Sequence, residues 1–178
     1  MKFTRTEIPD LVIIKPDIFE DERGYFFESF RQDQFESEIG KINFVQENES
    51  FSRYGVLRGM HYQMPPYEQS KLVRVVLGRV QDIAVDLRRE SPTFGKHLSI
   101  ELSNENRKQL FIPKGFAHGY LALSNEVVFN YKTDNYYSKE HESGILWNSE
   151  NLGIDWSIKA DIVLSEKDAN LRALMNWV

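Results

Sequence analysis

From Lys71 to Thr133 the chain passes through six short apolar runs, at 71–77, 80–87, 97–102, 109–112, 117–123 and 127–133, with no helical pattern between them. Turn-forming groups separate them: Ser103-Asn104-Glu105-Asn106, Pro113-Lys114-Gly115 and Ser124-Asn125-Glu126. Strands at spacings of roughly 8 to 12 residues confine the chain to an antiparallel sandwich or barrel. Gly78-Arg79 between the first two runs reads as a hairpin turn. The prediction is a mainly β, antiparallel jelly roll, with a few short helices at its edge.

The 178 residues fit one domain, 1–178, with no repeat, linker or low-complexity tract. There is no cysteine, which removes disulfides, thiol nucleophiles and thiolate metal sites, and fits a reducing compartment. Met1-Lys2-Phe3-Thr4-Arg5-Thr6-Glu7 has no apolar signal region, and no later run has the length of a membrane span. The expected location is the cytoplasm. A net charge of −5 argues against a general nucleic-acid binder and leaves room for a local basic pocket that takes a small anion.

Before the strand series, residues 11–14 form an apolar strand stopped by Lys15-Pro16. In residues 21–30, Arg23-Gly24 suits a turn, and alternation sets Tyr25 and Phe27 on one face with Phe26, Glu28 and Phe30 on the other. Residues 32–40 predict a surface helix with Phe35 and Ile39 four apart and Gly40 as its stop. Residues 44–52 alternate so that Phe44, Gln46, Asn48 and Ser50 share a face. Arg88-Arg89 reads as a solvated turn. The tail carries apolar segments at 145–148, 154–156 and 162–164, then a short helix in which Leu171, Leu174, Met175 and Val178 share a face. Ser165-Glu166-Lys167-Asp168 has the spacing of a capping box.

The chemistry concentrates in Gly55-Val56-Leu57-Arg58-Gly59-Met60-His61-Tyr62-Gln63, a strand stopped by Met64-Pro65-Pro66. Arginine is rarely buried unpaired, and histidine exchanges protons near neutrality, so one cavity facing Arg58 and His61 could bind an anion and move a proton. Pro113-Lys114-Gly115-Phe116-Ala117-His118 resembles the second cupin motif, in which a tight turn delivers a histidine into the fold. The first motif's metal-binding pattern is replaced here by His61-Tyr62-Gln63. Two histidines and a glutamine, without an obvious carboxylate partner, fall short of a three-ligand metal site, so a metal-free site is expected. Tyr131 shares a strand face with Val127 and Phe129, which points its hydroxyl inward, and a cation at Lys71 could stabilise an oxyanion. No phosphate loop, dinucleotide fingerprint or nucleophile elbow occurs.

Together with Gln46-Glu47-Asn48, Gln69-Ser70-Lys71-Leu72-Val73-Arg74-Val75, Ser91-Pro92-Thr93-Phe94-Gly95 and Leu164-Ser165-Glu166-Lys167-Asp168, these motifs make the chain resemble the dTDP-4-dehydrorhamnose 3,5-epimerases from Ile8 to Asp168. The resemblance implies a cofactor-independent, cupin-like jelly roll, usually a homodimer, that acts on a dTDP-sugar with a ketone at carbon 4. It casts His61 as general base, Asp168 as the carboxylate that orients it, Tyr131 as the acid on the opposite sugar face, and Lys71 with His118 as the groups meeting substrate oxygens. It places Arg23, Glu28, Gln46, Asn48, Arg58, Glu142 and Lys167 at nucleotide-sugar contacts, Phe26 beside them, and Tyr137 stacked on thymine. Some of the N-terminal contacts would come from the partner subunit. A 3-epimerase of a related deoxysugar pathway, a metal-dependent cupin and a non-catalytic sugar-nucleotide-binding jelly roll are the alternatives.

Overall fold

The computed structural model describes residues 1–158 and 161–174. Its six-stranded sheet runs in the order β1 (Lys2–Arg5), β2 (Val12–Lys15), β10 (Gln109–Ile112), β7 (Lys71–Leu77), β12 (Glu126–Thr133) and β5 (Gln46–Arg53). The five-stranded sheet runs β13 (Glu142–Gly144), β6 (Leu57–Gln63), β11 (Phe116–Ala122), β8 (Arg79–Asp86) and β9 (His97–Ser103). A separate hairpin pairs β3 (Phe19–Asp21) with β4 (Gly24–Phe26), and two short helices, α1 (Gln32–Glu38) and α2 (Glu166–Ala169), lie at the periphery. The expected antiparallel jelly-roll sandwich is present, and its sheets stay open instead of closing into a barrel.

Three apolar layers hold the sandwich. Between the sheets, Val73, Val75, Leu110 and Phe129 meet Val80, Ala84, Leu102 and Tyr120. On the outer face of the five-stranded sheet, Ile83, Val85, Ala117 and Leu121 are covered by Ile145, Leu152 and Trp156 from the tail. On the outer face of the other sheet, Val12, Ile14, Leu72 and Phe111 lie under Phe35 of α1, which Phe30 and Phe44 flank. Burying each such side chain contributes about 1.5 to 3 kcal/mol, so the tail and α1 are integral to the core. The apolar tail segments thus pack as a cover, with a bridge from Val163 to Val56, backbone hydrogen bonds between Ile145 and Met60, and a bridge from Ile145 to Arg172 within the tail.

Two sequence expectations fail at turns. Gly78-Arg79 does not close a hairpin: β7 pairs with β10 and β12, whereas β8 pairs with β11 and β9, so the chain changes sheets there. Gly78 has φ +79°, and a Cβ would stand 2.1 Å from the Glu126 carbonyl oxygen, so this corner requires glycine. A corner and a hairpin share the same local signature, two β runs flanking a glycine. Arg88 is likewise no solvated turn residue. It donates to Asp86 through Nε (2.9 Å) and Nη2 (2.8 Å), to Asp10 through Nη1 (2.7 Å), and lies over the Phe116 ring.

The C-terminal helix is shorter than its apolar spacing suggests. Ser165 caps it by accepting from the Asp168 backbone N–H at 3.1 Å, as the capping-box spacing predicts. It ends at Ala169, and Leu171 instead packs on Gly144 while Arg172 pairs with Ile145. Met175 and Val178 lie outside the described residues.

Candidate active site

A cavity of about 440 Å³ opens between the sheets, and an adjoining lobe of about 270 Å³ shares Asn48, His61, Lys71 and Tyr131 with it. Strand alternation sets the walls on β5, β7, β11 and β12, while on β6 a register shift against β11 brings Arg58 and His61, three residues apart, to the same face. β6 and β11 of one sheet supply Arg58, His61 and His118; β5, β7 and β12 of the facing sheet supply Asn48, Lys71 and Tyr131. Of the face predicted to carry Phe44, Gln46, Asn48 and Ser50, the last three line the cavity, whereas Phe44 packs against Phe35 in the outer layer.

His61 donates from Nε2 to Oδ1 of Asp168 at 2.6 Å, which leaves Nδ1 as the basic nitrogen. Burial pushes the Asp168 carboxyl up, but the hydrogen bond and charge of His61, with the Gly59 N–H and Ser165, outweigh it and hold the group below its usual range. Asp168 is therefore an anion, sealed at 3% exposure, placed to stabilise an imidazolium. Gly59 brings the strands together: a Cβ there would stand 2.5 Å from Gly119 Cα.

His118 faces His61 across the β6–β11 ladder and donates from Nε2 to Oδ2 of Asp82 at 2.9 Å. Each histidine therefore has its own carboxylate, where the sequence displayed none beside the two. Asp82 belongs to no motif; its signal in the sequence is a carboxylate set within the apolar run 80–87, which it shares with Asp86. Among the described residues no three His, Asp or Glu side chains converge as a metal site.

Lys71 reaches the His61 carbonyl oxygen at 3.4 Å, and its burial lowers its pKa to about 8 against the charges of Asp82 and Glu142. Burial also raises the Tyr131 phenol, with Tyr120 adding to the effect, so Tyr131 stays protonated as an acid requires. Arg58 is held by Ser52 Oγ and the Phe51 carbonyl oxygen, both at 3.0 Å. In the second lobe, Glu142 accepts from Tyr137 Oη at 2.8 Å and from Lys167 Nζ at 2.7 Å, while the Tyr137 backbone N–H donates to Gln46 at 3.1 Å.

The chain thus gathers Gln46, Asn48, Arg58, His61, Lys71, His118, Tyr131, Tyr137, Glu142, Lys167 and Asp168 around two joined lobes. Arg23, Phe26 and Glu28 are not among them. Arg23 pairs with Asp21 on the β3–β4 hairpin, Phe26 is 66% exposed, and Glu28 lies 3.7 Å from Arg31.

A paired base, a phenol and a buried cation around one cavity suit proton transfer beside a carbonyl, and comparison with known proteins agrees. The family model described as dTDP-4-dehydrorhamnose 3,5-epimerase matches residues 5–176. A dTDP-4-dehydrorhamnose 3,5-epimerase of Shigella flexneri is 54% identical over 171 residues, spanning 96% of this chain and 94% of its own. The crystal structure of the dTDP-4-dehydrorhamnose 3,5-epimerase from Elizabethkingia anophelis NUHP1 superposes with a TM-score of 0.93 at 51% identity, covering 97% of this chain and 96% of that one. A dTDP-6-deoxy-D-glucose-3,5-epimerase from Legionella pneumophila, solved with dTDP-4-keto-L-rhamnose, gives 0.94 at 46% identity, covering 97% and 92%. This chain belongs to the dTDP-4-dehydrorhamnose 3,5-epimerase family.

Proposed function

We infer that the protein converts dTDP-4-dehydro-6-deoxy-D-glucose to dTDP-4-dehydro-L-rhamnose, a step of dTDP-L-rhamnose formation, by inverting carbons 3 and 5. The observation that carries the residue roles is the placement of His61 and Tyr131 on facing sheets around one cavity. Both carbons neighbour the ketone, so loss of either proton gives an enolate with its charge on the carbon 4 oxygen. His61 Nδ1 takes the proton, and Asp168 stabilises the imidazolium. Lys71, still largely protonated at pH 7, meets the enolate oxygen, and His118 lies beside it among the groups that meet substrate oxygens. Tyr131 then protonates the carbon from the opposite face, which inverts it; solvent reprotonates Tyr131 and takes the proton from His61. A single residue returning its own proton would only restore the starting centre. Each acid–base group contributes about a hundredfold to ten-thousandfold, and an oxyanion contact adds about 3 to 4 kcal/mol, so the site needs both.

The second lobe, with Gln46, Tyr137, Glu142 and Lys167, takes the nucleotide end. Arg23, Phe26 and Glu28 reach the site from a second copy, which makes the working unit a homodimer; the exposed Phe19, Tyr25 and Phe26 on the hairpin support this reading. Among the described residues no helix is long and apolar enough to cross a membrane, and the cysteine-free sequence fits the cytoplasm.

The test is incubation of chelator-treated protein with dTDP-4-keto-6-deoxyglucose in deuterated water, followed by proton NMR and mass spectrometry. Deuterium at carbons 3 and 5 is the expected result. Label at carbon 3 alone makes the protein a single epimerase, and no label withdraws the mechanism.

A further inference from the structure

Gln63 ends β6, two residues beyond His61, and the reaction scheme gives it no task. It is 7% exposed, and its amide is committed to backbone groups. Nε2 donates to the carbonyl oxygens of Tyr67 at 2.6 Å and Tyr136 at 3.1 Å, and Oε1 accepts from the Ser138 N–H at 2.6 Å. Two carbonyl partners and one N–H partner fix the orientation of the amide, and both of its donors are taken. Gln63 borders the second lobe of the cavity without a donor left for a ligand there.

Tyr136 and Ser138 are the neighbours of Tyr137 on either side. Their loop, residues 134–141, joins β12 to β13. Its ends are fixed by other groups: the Asn135 carbonyl oxygen accepts from Thr133 Oγ1 at 2.9 Å and Gln69 Nε2 at 2.8 Å, and the His141 carbonyl oxygen accepts from the Met64 N–H at 2.8 Å. At the tip, packing offers little. Tyr136 is 63% exposed and Tyr137 53%, so burial does not hold the Tyr137 ring in place. Polar contacts do: Gln46 accepts from its N–H, Glu142 accepts from its phenol, and Gln63 brackets it. Gln46 and Glu142 line the lobe and are themselves assigned to the nucleotide, whereas the bonds of Gln63 are complete without it. Its third bond, to Tyr67, ties the loop to residues 64–70, where the Tyr67 ring lies against His141 with centroids 4.4 Å apart.

We propose that Gln63 is a positioning residue for nucleotide binding: its amide clamps the loop on both sides of Tyr137 and holds the exposed ring ready in the second lobe, so that stacking of the nucleobase does not first have to order the loop. Gln63 acts through Tyr137.

The inference rests on the reading that the second lobe takes the nucleotide end with Tyr137 against the base, and a double-mutant cycle separates the two. Calorimetric titration of dTDP is run on wild type, Gln63→Met, Tyr137→Ala and the double variant. Methionine keeps the volume and removes all three bonds. Gln63→Met is expected to raise the dTDP Kd about tenfold and KM alongside it, with kcat at saturation within about threefold, because the lost contact serves ground and transition states alike. Tyr137→Ala is expected to weaken dTDP about tenfold or more by itself. Adding Gln63→Met to it should then change Kd by less than about twofold. Equal losses in both backgrounds overturn the proposal, because Gln63 would then act elsewhere. A weakened Tyr137→Ala beside an unchanged Gln63→Met overturns the inference and leaves the nucleotide lobe standing. Wild-type affinity in Tyr137→Ala removes the nucleotide from that lobe and the inference with it. Should Gln63→Met fail to fold, Gln63→Ala, whose space water can enter to meet the freed backbone groups, repeats the cycle. Failure of both to fold overturns the proposal in favour of a purely structural role. Wild-type protein that exchanges no deuterium withdraws the epimerase reading without touching the cycle, which reads binding alone.

Discussion

His61 and Asp168 are separated by 107 positions in the chain and meet at 2.6 Å between Nε2 and Oδ1. The contact depends on three local devices. β6 runs beside β11, the Ser165 cap starts α2, and the Gly59 N–H holds Oδ2 of Asp168 at 3.4 Å. A base built this way is fixed in tautomer before substrate arrives, which removes a reorganisation cost from the proton-transfer step.

Asp168→Asn keeps the shape and a hydrogen-bond acceptor but loses the anion that balances the imidazolium. Turnover should fall about a hundredfold to ten-thousandfold with nucleotide binding nearly intact. Steady-state kinetics together with calorimetric titration of dTDP check this. A variant with wild-type kcat would remove Asp168 from the mechanism.

Tyr131→Phe removes the acid and leaves the base. Deuterium should still enter the substrate, because His61 can exchange its proton with solvent and return the label to the same face. Net epimerisation should drop by about a hundredfold or more. NMR distinguishes labelled starting sugar from labelled product, and undiminished product formation would transfer the acid role to another group.

Gly59→Ala tests the close approach of β6 and β11. Its φ is +126°, and the added Cβ would meet Gly119 Cα at 2.5 Å and the His118 carbonyl oxygen at 2.9 Å. Both are backbone atoms that cannot swing aside. The expected cost is about 1 to 3 kcal/mol in urea unfolding, with activity lost beyond what the stability change explains, because His61 lies two residues away. A wild-type midpoint and wild-type turnover together would contradict this packing.

Arg88→Met strips the counterion from the buried Asp86. Burial pushes the Asp86 carboxyl up, but hydrogen bonds led by Arg88 outweigh it and hold its pKa at about 2. The unfolded chain therefore takes up this proton at higher pH than the folded one, so the contribution is complete above about pH 4 and is lost as pH falls towards 2. The variant should be less stable by about 3 to 5 kcal/mol at pH 7, with the gap to wild type narrowing below about pH 4. Chemical unfolding across that range would read it, and a constant gap would place the stabilisation in the packing of Arg88 over Phe116.

The sequence by itself determined the antiparallel β class, most strand positions, α1 and the inward faces of β5 and β12. Those properties follow from side-chain periodicity and turn chemistry, which are local. It also displayed His61, Lys71, His118 and Tyr131 as unusual residues on apolar strands, while the role of Asp168 came only through family likeness. Tertiary structure alone decided which residues meet. It turned Gly78 from a hairpin into a sheet-to-sheet corner, ended α2 at Ala169 with Leu171 packed on Gly144, and drew Arg88 into an ion pair with the buried Asp86. It also set Asp82 behind His118, a pairing across 36 residues and two strands. Periodicity tells a residue which face it occupies, but not which charge will lie opposite; only the register of β8 against β11 fixes that.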